Sequence, residues 1–394
     1  MFRKTLLLAA CSCTLSLAAQ PDLIGKVAQN KSDSAEKAFQ FITVVQADAT
    51  PVEDQASSGT CWSYSSGSFL ESEMIKAGGP SIHLSKMYTA RKSYEDKAEN
   101  FVRMHGAVSW GDGGEPHDVA DMYAKYGTMP EDVYMGLNYG TEKNQFGEMQ
   151  AMIKGMLDAV ISAPNHGKLT PVWSTAVSRV LDTYLGEVPA TFQYNGKTYD
   201  PKSFAKEVVR VDPDDLIEFV SETDQPYYQK TMMMVPDNWA FQLAWNVPMA
   251  DITTIIDNAL QNGHTVAWGG DVSEKTFSWK NGIAYVAEKD YSDMSKEEKA
   301  DLFNGPKPEP TITPEMRQEA FDNYTTTDDH GMHITGIAKD QNGKEWYIVK
   351  NSWGTDNERD GYIYMSKAFV QYKTTGFMVN KKALPAGIKK KLGV

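Results

Sequence analysis

The chain has 394 residues and a formal charge of −13, with 52 Asp and Glu against 39 Lys and Arg. That length can bury a large core in one elaborated domain or two. The acidic balance argues against nucleic acid or an anionic lipid surface as the main partner, and past the first residues no stretch is apolar for long enough to cross a bilayer as a helix.

The chain opens MFRKTLLLAACSCTLSLAAQ. Arg3 and Lys4 form a basic start, Thr5 to Leu17 an apolar run, and Ala18-Ala19 a small-residue cleavage zone. This pattern predicts a secretory signal over 1–19 and an exported, periplasmic or extracellular, chain over 20–394. Leu8-Ala9-Ala10-Cys11 also reads as a lipoprotein processing box, which would anchor the protein at Cys11. The three cysteines are Cys11, Cys13 and Cys61. Cleavage after Ala19 leaves Cys61 alone, unable to form an internal disulfide. A leftover thiol in a secreted chain is reactive, bridges to another molecule, or is a small buried hydrophobe.

Cys61 lies in QASSGTCWSYSSGSFLESEMIKAG, residues 55–78. Ser57 to Thr60 read as a turn, and Trp62 to Lys76 as a helix beginning at or beside Cys61. A thiol at a helix N-terminus has its thiolate stabilised by the dipole and by free N–H groups. The Gln55 amide, across the turn, is placed to donate towards an oxyanion above the sulfur. Further on, Gly113-Gly114 precede the helix-like HDVADMYAKYG. Within 142–235, EKNQFGEMQAMIKGMLDAVIS and PKSFAKEVVRV read as helical, and VPATFQYNGKTY as a hairpin between them. The Met-rich PYYQKTMMMV reads as core or rim rather than a ligand box.

The thiol needs a base. His330 opens an apolar run from Met332 to Ala338; turn residues Asp340 to Gly343 follow, then a second run from Trp346 to Lys350, with Gly361 to Met365 a third strand. Pairing brings His330 beside Asn351, whose carbonyl can orient the imidazole while Trp353 shields that bond. His333 is the rival base, but an odd spacing puts it on the other face of the strand. Asp214-Asp215 read as a turn or cap and Asp328-Asp329 as a solvated loop. No Cys/His cluster has zinc spacing, so neither metal nor cofactor is expected. The basic end, NKKALPAGIKKKLGV, reads as a solvated tail.

Taken together, Gln55-Ala56-Ser57-Ser58-Gly59-Thr60-Cys61-Trp62, Gly113-Gly114, GHTVAWGGDVSE, His330-Gly331-Met332 and Asn351-Ser352-Trp353-Gly354 resemble the papain-fold cysteine peptidases. Their bleomycin hydrolase and aminopeptidase C branch is the nearer likeness, over about residues 40–385. The resemblance implies an α+β papain-like fold: a helical half, a β-barrel-like half and a large, mainly helical insertion at 142–235. His330 follows Cys61 by 269 residues (330 minus 61), where papain relatives need about 130–150, so room for an insertion exists. The resemblance assigns Cys61 as nucleophile, Gln55 as oxyanion donor, His330 as base and Asn351 as its orienter. Gly113 and Gly114, with Trp62 and Trp353 in the same blocks, would receive a peptide strand. The bridging cysteines of the papain group are replaced by Ser58 and Asp112. Cys61 and His330 would form a thiolate–imidazolium pair acting on peptides. The branch ends in a C-terminal arm whose carboxylate holds a substrate's amine, and its members form hexamers. Here GFMVNKKALPAG is followed by a basic IKKKLGV. Aminopeptidase action is the leading expectation, an endopeptidase with an open cleft the alternative, and a non-catalytic peptide-binding relative the third.

Overall fold

The computed structural model describes residues 39–162 and 167–394. The segment read as a secretory signal, with Cys11, lies outside the described residues. The first strand, β1 (Phe41–Gln46), leads through an irregular segment to helix α1 (Cys61–Lys76). Every residue of α1 from Cys61 to Met74 is buried, so this is a central helix and not an amphipathic surface one. Most of its serines make that burial tolerable by finding a hydrogen-bond partner, although Ser66 Oγ has none among the described residues. Ser63 donates to Lys86 O, Ser68 bonds the His333 ring, and Ser72 donates to Asp48 O.

Helix α2 (Lys86–Arg103) is capped by Ser85, which accepts from Tyr88 N at 2.9 Å, as a short oxygen side chain does at an N-terminus. Helix α3 (Pro116–Tyr126) starts with proline at its first position, where the missing N–H costs nothing. Helices α4 (Gly147–Ile161) and α5 (Val172–Leu185) follow, then the hairpin β2 (Phe192–Tyr194) and β3 (Lys197–Tyr199). Asn195 and Gly196 between them have φ of 47° and 77°, the left-handed pair a two-residue hairpin turn requires. Trp62, Tyr94, Ile153, Leu181 and Phe204 share one core, tying the segments after residue 142 to the α1 half.

Residues 216–235 go elsewhere. Strands β4 (Leu216–Val220), β5 (Lys230–Met232) and β6 (Leu243–Asn246) join the large sheet. Helix α6 (Met249–Gln261), then β7 (Val266–Gly270), β8 (Phe277–Ser278), β9 (Ile283–Ala284) and helix α7 (Pro314–Asp322) lead to the long strand β10 (His330–Asp340). It is followed by β11 (Glu345–Lys350), β12 (Tyr362–Ser366), helix α8 (Lys367–Lys373), β13 (Thr374–Asn380) and helix α9 (Ala386–Leu392). The sheet runs β5-β6-β4-β13-β7-β10-β11-β12-β9-β8, with β1 also paired to β10. The predicted hairpin is present, with Ile337 opposite Tyr347, and β12 is its predicted third strand.

Strand β10 separates two faces. Met332 and Ile334 pack into the core that includes Ile252 and Ile256 of α6, while His333 meets Ser68 and Phe69 of α1. Ile388 and Leu392 of α9 join the α6 core, and Lys391 Nζ donates to Tyr228 OH. The basic end is therefore a packed helix on the face of the sheet away from α1. Among the described residues no helix is long and apolar enough to cross a membrane.

Candidate active site

Cys61 is the first residue of α1, and Thr60 at the cap makes no side-chain bond to the helix. The Gly331 and Trp62 backbones hydrogen-bond the thiol. A Cβ on Gly331 would sit 2.8 Å from Ser65 Oγ and 3.4 Å from the Cys61 carbonyl. Glycine there lets the start of β10, next to His330, approach the first turn of the helix closely.

His330 Nε2 donates to Asn351 Oδ1 at 2.7 Å, and the ring lies 4.6 Å from that of Trp353. Asn351 Oδ1 also accepts from Ser352 N at 2.8 Å, which fixes the amide. With Nε2 carrying the proton, Nδ1 is the free base, and it is buried with no hydrogen-bond partner among the described residues. His333 points to the opposite face, where Ser68 Oγ and Lys350 surround it.

Gln55 is fully buried. Its Oε1 accepts from Ser352 Oγ at 2.6 Å, and its Nε2 donates one hydrogen to Ser58 O at 2.7 Å. One amide hydrogen remains beyond that bond. Ser352 thus couples Gln55 to Asn351, a link not read from the sequence although Ser352 sits inside its motif. Asp112 was seen only as a missing cysteine. Its carboxylate accepts from Gly59 N and its carbonyl from Trp62 Nε1 at 2.9 Å, so hydrogen bonds join the two loops where the papain group has a disulfide.

The electrostatics depart from a preformed ion pair. Burial pushes the Cys61 thiol up to about 12; Gly331 N–H opposes this, while the charges of Asp237 and Asp328 reinforce it. Burial holds His330 down to about 4, only partly countered by Asn351. In this closed arrangement burial favours the neutral form of both groups.

The glycine edge is covered. A Cβ on Gly113 would overlap the Asp237 carboxylate, and one on Gly114 would meet the Trp62 ring at 3.0 Å. Trp62 and Trp353 are both buried, the first supporting Gly114 and the second His330. The cover comes from the turn joining β5 to β6: Trp239 Nε1 donates to Asp118 Oδ2 at 3.0 Å, and Gln242 Nε2 to Asp121 Oδ2 at 2.6 Å. Asp328-Asp329 are not a solvated loop. Asp329 accepts from Val272 N at 2.9 Å, and Asp328 lies against Glu115 and within the fields of Asp237 and Glu218. Elements distant in sequence close over both residues. The proximity of Glu115 to Gly114, and of Asp328 to His330, was the signal available beforehand.

A central helix bearing the thiol, packed on a sheet bearing the His–Asn pair, defines a papain-like cysteine peptidase. Residues 13–393 match the Peptidase C1-like family model, and the chain belongs to that family; it is a cysteine-type peptidase of the aminopeptidase C/bleomycin hydrolase kind. It is 24% identical over 390 residues to aminopeptidase W of Lactobacillus delbrueckii subsp. lactis, covering 87% of this chain and 84% of that one. It is 23% identical over 401 residues to mitochondrial cysteine proteinase 1 of Saccharomyces cerevisiae, covering 89% and 78%. The crystal structure of PepW from Lactobacillus rhamnosis HN001 has the same fold, with a TM-score of 0.70 at 20% identity over 95% of this chain and 87% of that one.

Proposed function

We propose that the protein is an exported aminopeptidase that releases N-terminal residues from peptides, with Cys61 as nucleophile, His330 as base, Asn351 as its orienter and Gln55 as an oxyanion donor. The observation that carries the site is the thiol at the start of α1, bonded by the residue next to a histidine whose far nitrogen is held by Asn351. Export rests on the sequence of residues 1–19.

From the neutral pair, His330 Nδ1 takes the Cys61 proton as Sγ attacks the scissile carbonyl carbon. Gln55 Nε2 and the Cys61 N–H stabilise the oxyanion. The C–N bond then breaks as the imidazolium returns its proton to the leaving amine. Water, deprotonated by the same nitrogen, attacks the thioester and releases the acid, and the proton ends on Cys61.

Two observations favour exopeptidase over endopeptidase action. Relatives similar over most of their length carry the name aminopeptidase, and the turn between β5 and β6 covers the edge at Gly113. A long peptide cannot lie across that edge without displacing the turn. The test compares one peptide with its N-acetylated form. An aminopeptidase cleaves the free form on the order of a hundredfold faster, because acetylation removes a paired charge and adds bulk. Equal rates on both would discard this reading for the endopeptidase.

A further inference from the structure

Beside the thiol lies a group of carboxyls that the reaction chemistry does not use. Glu115 is 1% exposed, and its Oε1 is buried with no hydrogen-bond donor among the described residues; the same holds for Asp328 Oδ2. The two side chains lie within hydrogen-bonding reach of each other, a contact that works only if one carries a proton. Glu115 Oε2 is 3.6 Å from the position of a Cβ on Gly269, and Gly269 is the partner of Gly331 on β10. That places the carboxyl against the strand neighbour of the glycine whose amide bonds the thiol, the two glycines being one strand spacing, roughly 5 Å, apart. Asp237 and Asp328 are the acidic groups whose charge reaches Cys61.

The nearby cations are committed elsewhere. His117 Nδ1 bonds Glu218 Oε2 at 2.6 Å, and its Nε2 lies 3.9 Å from Asp118 Oδ1. Lys97 Nζ donates to Gly111 O and Gly113 O, and Lys373 pairs with Glu274. Burial and the charge of Asp328 accordingly hold Glu115 well above the carboxylate range, and burial, with Asp237 and Glu218 adding and the bond from Glu115 opposing, pushes Asp328 up to about 7. Carboxyls in that state release protons on meeting a cation. The α-nitrogen of a peptide's first residue lies only about 2.5 Å from the carbonyl carbon that a thiol attacks, so its ammonium must sit within a few ångströms of Sγ.

We propose that Glu115 and Asp328, closed over by Asp237, form the recognition site for the free α-ammonium group of the substrate. The inference rests on the aminopeptidase reading and names the groups that enforce it. Residues 386–392, packed with the α6 core, do not contribute. The ammonium donates to Glu115 Oε1 and Asp328 Oδ2, and its third hydrogen faces the Asp237 side of the pocket.

The test uses the full protein, as wild type, Glu115→Gln and Asp328→Asn, on a free-amine peptide, its N-acetylated form and its des-amino analogue. Both substitutions keep shape and remove charge. We expect each to lower kcat/KM on the free-amine peptide about tenfold or more, mainly through KM, and so to collapse the wild-type ratio of free to acetylated rates, with the thermal midpoint nearly unchanged. A folded variant of either residue that keeps the wild-type ratio of free to acetylated rates overturns the proposal while leaving the aminopeptidase reading intact. A wild type with no preference for the free amine fails that reading first, and the proposal with it. Asp328 is only half-buried, so its variant carries the test if Glu115→Gln does not fold.

Discussion

The two sides of Cys61 are built from opposite materials. Towards Asn351 every group is neutral and bonded in sequence: Ser352 Oγ to Gln55 Oε1, Gln55 Nε2 to Ser58 O, His330 Nε2 to Asn351 Oδ1. Towards Glu115 the groups are carboxyls that crowd one another, with two oxygens lacking donors. The neutral side holds positions. A buried hydrogen-bond chain without net charge orients an imidazole, and here the bond to Asn351 only partly offsets the desolvation that disfavours its protonation. The acidic side stores unfavourable electrostatic energy that a cation relieves. On the proposed roles, reaction geometry and substrate selection are thereby separated across one sulfur atom.

The largest effects come from removing the reacting groups of the neutral side. Cys61→Ala and His330→Ala should each lower kcat/KM by about ten-thousandfold or more, with the protein still folded. His333→Ala, three residues along the same strand, should leave the rate per folded molecule within a few-fold while costing about 1–3 kcal/mol of stability, because Ser68 Oγ loses a buried partner. Steady-state kinetics beside thermal unfolding separates the two. A dead His333→Ala that folds normally would reverse the assignment of the two faces.

Asn351→Ala should fall between these. The Nε2 bond of His330 is lost and Ser352 N loses its acceptor, but Trp353 still stacks on the ring. A lost charge-assisted bond of about 1.5–3 kcal/mol corresponds to roughly a tenfold to hundredfold lower kcat. The loss should appear in kcat with KM little changed; a change confined to KM would show that Asn351 contacts substrate instead of the base.

This neutral side was legible in the sequence because its parts are local. Helix α1 begins where Thr60-Cys61 suggested, the β10–β11 hairpin places His330 by Asn351, and strand parity separates His330 from His333. The acidic side was not. Asp328 is an ordinary loop acid until the turn at 233–242 and the start of α3 fold over it, and apart from its closeness to His330 nothing in the local sequence announces that. The same long-range closure raises the thiol and lowers the imidazole by desolvation, an effect of elements far along the chain that local sequence does not show. The basic end misled for a related reason: Ile388 and Leu392 are spaced for one helical face, but the three lysines between them dominate the composition.

The smallest expected effect reads the acidic side directly through the thiol. Asp237 and Asp328 raise the Cys61 pKa, because a nearby negative charge disfavours the thiolate. Asp328→Asn removes one of those charges, so the thiol should titrate lower. Burial, with Asp237 and Glu218 adding, pushes Asp328 itself up to about 7. Below that pH its carboxyl is protonated, and wild type and variant should be alkylated by iodoacetamide at the same rate. As the pH rises through 7 the wild-type carboxylate appears and suppresses its own thiolate, and the variant should pull ahead. Ser352→Ala, on the neutral side, changes no charge and should leave the alkylation profile in place while weakening Gln55. A constant ratio between Asp328→Asn and wild type from pH 5 to 9 would mean that Asp328 stays in one protonation state throughout, and the field assigned to the acidic side would not reach the sulfur.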